Sequence, residues 1–191
     1  IPSFTGTFLA STLYLKKVVI QWKSLLLMMV LAIPSAYAGS SLLNHISNEF
    51  MKPFLLVVLT LLAIYSFVKK DFGLKSDKSH SPTQQLLYSI IISITVGFYD
   101  GFIGPGTGIF FVMAFVSLLG YDFLQASANA KMVNLATNVG AISLFFIKGK
   151  IIWHIALPMA ICNGFGGFLG AKMAIKRGNN FVRIFFQILM V

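Results

Sequence analysis

The chain has 191 residues, 57% of them hydrophobic and 10% charged, and its mean hydropathy of +0.84 is more than a soluble domain of this size can hide. Its apolar runs are long and continuous rather than short and alternating, so the expected class is an all-α, polytopic transmembrane bundle and not a β-barrel. The balance is basic, 15 Lys+Arg against 5 Asp+Glu, but the cations sit mostly in short loops between apolar runs, which is the orientation signal of a membrane protein and offers no contiguous face for nucleic acid.

Taken in chain order, an apolar segment at about 1–15 ends at Lys16-Lys17. A second (about 24–44) follows Trp22-Lys23, and a third (about 50–68) ends at Lys69-Lys70. Residues 71–85, DFGLKSDKSHSPTQQ, form the one long polar linker. A fourth segment (about 86–103) runs into Gly104-Pro105-Gly106, and the next (about 108–120) is too short for a full span. Segments at about 123–147 and 153–175 end at Lys148-Gly149-Lys150 and Lys176-Arg177-Gly178, and a last one starts near Phe181. The chain opens partway through a helical pattern and closes inside an apolar run, which predicts a longer parent protein. Trp22 and Trp153 read as interface anchors. Cys162 stands alone, so no intrachain disulfide is expected. His45, His80 and His154 have no metal-ligand spacing, and no nucleophile–base set or phosphate loop is apparent. Neither an enzyme nor a cofactor or metal site is expected.

An internal repeat organises these segments. A shift of 131 residues lays 1–60 on 132–191 without a gap. Trp22 then falls on Trp153, Lys17 on Lys148, Ile20 on Ile151, Gly39 on Gly170, Asn48 on Asn179, Phe50 on Phe181 and Phe54 on Phe185, with Lys52 on Arg183. The expected domains are therefore 1–70, the remainder of a first transmembrane repeat; 71–85, the linker; and 86–191, the second repeat. An odd number of crossings per repeat would make the two inverted, the arrangement common in secondary transporters. Lys148 and Lys150 then face the side opposite the other cations. The repeat also predicts a second glycine-rich break ahead of Ile1.

Residues 97–111, GFYDGFIGPGTGIFF, put poor helix formers and a carboxylate inside an apolar run. Irregular backbone at membrane depth is tolerated only inside protein or beside a wet cavity. The helix restarting at about Thr107 would present free N–H groups and a positive dipole end, an anion site that Gly104, Gly106 and Gly108 leave open to close approach. An ordinary turn is the alternative. Asp100 is the one acid in an apolar segment, and so a candidate for proton coupling; the alternative is a helix cap at the interface. In 123–150, Ser127, Lys131, Asn134 and Asn138 share one helical face, with Thr137 beside it. Lys131 would add charge for an anion; the alternative is a snorkelling lysine among interhelical hydrogen bonds. In NGFGGFLGA (163–171), the pairs Gly166/Gly170 and Gly167/Ala171 read as packing seams, with images Ser35/Gly39 and Ala36/Ser40.

The stretch GFYDGFIGPGTGIFF, followed by ASANAKMVNLATNVGAISLFFIKGKIIW, closely resembles the second-half signature of the sulfite exporter TauE/SafE family. The opening SFTGTFLASTLYLKKVVIQWK resembles the end of its first-half signature. The matching positions are Gly97, Asp100, Gly101, Gly104, Pro105, Gly106, Gly108, Ala130, Lys131, Asn134, Asn138 and Gly140. The resemblance implies a multi-pass permease of the bacterial inner membrane, built of two repeated halves and handling sulfite, sulfonates or related organic anions. The expected substrate site is Gly104, Gly106, Thr107, Gly108, Ser127, Lys131, Asn134 and Asn138, with Asp100 for proton coupling. The expected partners are the lipid bilayer and a small anionic substrate, with homo-oligomerisation left open. A channel and a non-transport membrane partner protein are the competing classes.

Overall fold

A computed structural model describes residues 1–43, 49, 53, 54, 56, 57, 60 and 81–189, of which 183, 186, 187 and 189 are described by their backbone alone. Its helices are α1 (Pro2–Leu15), α2 (Trp22–Leu43), α3 (Pro82–Phe102), α4 (Thr107–Leu119), α5 (Phe123–Ile147) and α6 (Trp153–Leu189). No strand occurs among the described residues, and the fold is all-α. Four of these helices are long and apolar enough to cross a membrane: α2, α3, α5 and Trp153–Val182 of α6. α4, with 13 residues, is the short helix its sequence predicts. Most of the third apolar segment and nearly all of the polar linker lie outside the described residues.

α3 starts at Pro82, ahead of the boundary expected near 86. Ser81 explains the difference. Its Oγ accepts from Gln84 N at 3.3 Å while Ser81 N donates to Gln84 Oε1 at 3.3 Å, a reciprocal cap with Pro82 at the first helical position. α5 is capped twice. Asp122 Oδ1 accepts from Gln125 N at 2.8 Å, and Asn179 Oδ1 accepts from Leu124 N at 2.7 Å. Asn179 follows Gly178, where the φ of 71° and ψ of −165° interrupt α6, so the kink is tied to the start of α5.

Glycine lets the helices come close. Gly97 and Gly101 of α3 face Ala32 and Ala36 of α2, and a Cβ on Gly101 would overlap the Ala36 carbonyl. On α2, Gly39 lies against the backbone of Phe98 and Phe102. Gly140 of α5 lies on Ile33 and Ala36 of α2. Gly6 of α1 and Gly167 of α6 meet backbone to backbone, and Leu9 of α1 reaches Gly164. The most extensive pairings are thus α2 with α3, α1 with α6, and α2 with α5. Around them Leu25, Met28, Ile92, Phe111, Phe115, Phe123 and Val133 form the main core. The outer faces are apolar too. Leu26 and Val30 of α2 and Ile155, Leu157, Ile161 and Phe165 of α6 are exposed, as a surface solvated by lipid requires.

Candidate functional site

α3 stops at Phe102, and the backbone turns through Gly104 (φ 84°) and Gly106 (φ 82°), a left-handed conformation that side chains disfavour. The carbonyls freed by this break find donors within the protein. Gly101 O accepts from Ser40 Oγ of α2 at 2.9 Å. Gly104 O accepts from Thr107 Oγ1 at 2.6 Å, and Pro105 O from the Tyr99 hydroxyl at 2.8 Å. The break is therefore a built feature in which the carbonyls of Gly101, Gly104 and Pro105 are each satisfied by a side chain of the protein.

Asp100 lies in the last turn of α3 and faces α5. Its Oδ2 accepts from Asn134 Nδ2 at 2.9 Å and is also bonded by the Thr137 hydroxyl. Thr137 has a second acceptor, Asn134 O at 2.9 Å. Asn134 and Thr137 are buried, so the carboxylate is held by α5 from the inside of the bundle. Asp100 is not a surface cap.

Beside this network is a cavity of about 470 Å3 between α1, α4, α5 and α6. Gly106, Gly108, Ser127, Lys131 and Asn134, all named from the sequence, line it. Lys131 has no hydrogen-bonding or ionic partner among the described residues. The N–H groups of Gly106 and Gly108, at the start of α4, find no acceptor among them either, whereas Ile109 N and Phe110 N both donate to Gly106 O. One lysine amine and two N–H groups, none with a partner among the described residues, thus border one space.

Three of the expected residues are elsewhere. Gly104 shapes the turn. Thr107 is buried, donates its hydroxyl to Gly104 O and lies in hydrogen-bonding contact with the Asp100 carboxylate. Asn138 donates to Asn134 O at 2.7 Å and to Thr7 Oγ1 of α1 at 3.5 Å, joining helices instead of lining the cavity. Sequence reasoning set Thr137 beside the polar face and left it out of the site, although it stands three residues after Asn134 and binds the same carboxylate. It also missed the cavity's apolar wall, to which Tyr14, Met173, Phe181 and Phe185 contribute. On a membrane helix such residues look no different from lipid-facing ones. Of the two seams in α6, Gly167 and Ala171 are covered, but a Cβ on Gly166 or Gly170 would meet nothing among the described residues.

Known proteins supply the remaining comparison. The chain is 29% identical to "Probable membrane transporter protein ORF9" of Sinorhizobium sp over 178 residues, 93% of this chain and 67% of that protein. It is 29% identical to a "Probable membrane transporter protein" of Haemophilus influenzae, covering 93% of this chain and 69% of the relative. The "Probable membrane transporter protein YfcA" of Escherichia coli K12 is 26% identical over 93% of this chain and 65% of its own length. The chain therefore spans about two thirds of the length of these relatives. No solved structure matches. The sulfite exporter TauE/SafE family model matches residues 1–191, and the chain, a multi-pass membrane protein, belongs to that family of membrane transporters.

Proposed function

We propose that the protein is a permease for a small organic or inorganic anion of the sulfite and sulfonate kind, working in a bacterial inner membrane. The observation that carries this reading is Lys131, an ammonium in the middle of a membrane helix, facing a cavity with no counter-ion among the described residues. An unpaired charge in that setting costs several kcal/mol. A visiting anion supplies the missing partner, and the free N–H groups of Gly106 and Gly108 at the positive end of α4 add to the attraction. Ser127 and Asn134 offer orienting hydrogen bonds from the same wall.

Proton coupling would run through Asp100. The Thr137 hydroxyl has one proton and two acceptors, the Asp100 carboxylate and Asn134 O. Ionised Asp100 takes that proton's hydrogen bond. Protonated Asp100 donates to the Thr137 oxygen and sends the Thr137 proton to the Asn134 carbonyl. Because Asn134 also lines the cavity, a change at Asp100 reaches the anion site through one residue.

The helix pairings support a two-part machine. A shift of 131 residues converts the α1–α6 contact into the α5–α2 contact. Leu9 on Gly164 corresponds to Gly140 on Ile33, the same pair with large and small residues exchanged. Thr7 is bonded to Asn138, its own image. Rocking of one half against the other would expose the cavity alternately. The test is anion-induced current in proteoliposomes, with sulfite, thiosulfate, small sulfonates and carboxylates. A saturable current lost in Lys131→Ala is expected; a current equal in the two proteins removes the anion role from Lys131.

A further inference from the structure

α6 bends at Gly178, where the φ of 71° and ψ of −165° belong to a region that glycine alone enters freely. A Cβ there would meet no described residue within 4 Å, so the backbone angle and not packing calls for the glycine. Backbone of this kind persists where its surroundings hold it, and it gathers at clamps and switches. Three contacts hold it here. Asn179 Oδ1 accepts from Leu124 N of α5 at 2.7 Å. The Arg177 guanidinium lies 5.0 Å from the centre of the Phe181 ring, across the bend. Val182 packs against both hydrophobic clusters, the second of which contains Tyr14 of α1. The bend brings Phe181, Val182 and Phe185 to the cavity wall, while Ile184 and Ile188 of the same segment are exposed. Were Gly178 helical, the residues after it would continue along the axis of the preceding helix and leave both Leu124 and the cavity.

We infer that residues 179–189 are a gate on the cavity: Gly178 is its hinge, Asn179 its latch, and Phe181, Val182 and Phe185 the part that closes. The inference concerns access to the cavity and holds for whatever occupies it. The latch suits a reversible device. Leu124 N is one of the N–H groups that the start of a helix leaves without an internal acceptor, and the Asp122 cap serves Gln125 N instead. Opening therefore exchanges the Asn179 bond for one to water, a small net cost that keeps both states within reach.

The experiment follows a cysteine on the α5 wall of the cavity, Ser127→Cys, in full-length protein whose other cysteines, Cys162 included, are replaced by serine. The readout is its rate of modification by a water-soluble methanethiosulfonate in lipid nanodiscs. Asn179→Ala removes the latch and should raise the rate about two- to tenfold, the ratio that one hydrogen bond gives. Asn179→Asp keeps an acceptor for Leu124 N and should leave the rate close to that of the parent. Gly178→Ala makes the bent backbone costly and should raise the rate as well. Ser93→Cys, at a fully buried position of α3, should stay unmodified in each of these backgrounds. Equal rates in Asn179→Ala and Asn179→Asp overturn the inference, whether both are slow, as for a fixed wall, or both fast. Modification of Ser93→Cys in the Asn179→Ala background also overturns it, because the whole bundle has then loosened. An Asn179→Ala protein that fails to fold makes the contact a structural tie, with the same consequence. If Gly178→Ala fails to fold, the two Asn179 variants decide; if it folds and reacts at the parental rate, Gly178 is no hinge and the inference fails.

Discussion

Asn134 stands between two neighbourhoods, donating to Asp100 at 2.9 Å while its side chain lines the cavity with Lys131. Removing either charged neighbour should therefore have a different signature. Asp100→Ala takes the carboxylate acceptor from the Asn134 amide and leaves the Thr137 hydroxyl only Asn134 O, which should destabilise the protein by about 1–3 kcal/mol. Asp100→Asn keeps the shape and an acceptor. It should unfold near the wild-type temperature while the dependence of transport on a proton gradient disappears. Thermal unfolding in detergent, read beside uptake with and without a gradient, checks the pair; gradient-driven uptake that survives in Asp100→Asn rejects the coupling role. Lys131 behaves oppositely. Its ammonium has no partner to lose among the described residues, so Lys131→Met should be neutral or stabilising in the absence of substrate, yet lose the protection that an anion gives the wild type. A clear fall in melting temperature without anion would show that Lys131 holds the fold together. Both residues were legible as sequence, because a charge within an apolar run is costly unless it has work to do. Their partners were only half legible. The i, i+3 and i, i+4 spacing put Asn134 near Thr137 and Asn138, but no local rule says which of them turns toward α3 and which toward α1.

Among the elements, the glycines divide into those that touch a backbone and those that touch nothing, and the sequence does not separate the two. Gly39 and Gly170 occupy equivalent places in the 131-residue register. Gly39 is covered by the backbone of Phe98 and Phe102, whereas a Cβ on Gly170 meets nothing within 4 Å among the described residues. The GPG break, the short α4 and the kink at Gly178 were readable because they depend on local chemistry: missing N–H groups, positive φ, insufficient length. Seams depend on what lies across them, so the reading that all small-residue pairs are packing surfaces held for Gly167 and not for Gly170. The distinction is testable by alanine. Gly101→Ala puts a methyl into the Ala36 carbonyl and should force α3 from α2, costing about 1–3 kcal/mol and carrying Asp100 out of reach of Asn134. Gly166→Ala adds a methyl to a helical position with room for it, and should stabilise by about 0.5–1 kcal/mol. Chemical unfolding of the two variants in one detergent compares them; equal effects would mean that the α2–α3 approach is looser than its geometry.

On the scale of the whole molecule, the 131-residue register makes a mechanical prediction. If two halves rock about an axis between α1 and α5, residues on the axis keep their separation while those across the cavity do not. Thr7 and Asn138 stand 131 residues apart, would be images of each other in that register, and are joined at 3.5 Å, so the pair would lie where such an axis passes. Ile109 of α4 and Met173 of α6 line the cavity from different walls. In a background with Cys162, the one cysteine of these 191 residues, replaced by Ser, a short thiol crosslinker between Thr7→Cys and Asn138→Cys should leave anion transport largely intact. The same reagent between Ile109→Cys and Met173→Cys should trap one state and stop turnover, and reduction should restore it. Transport blocked by both crosslinks would place the motion between α1 and α5 themselves, as a sliding of the two helices. Transport blocked by neither would mean that the cavity does not close around its cargo, which is the behaviour of a channel and not of a carrier.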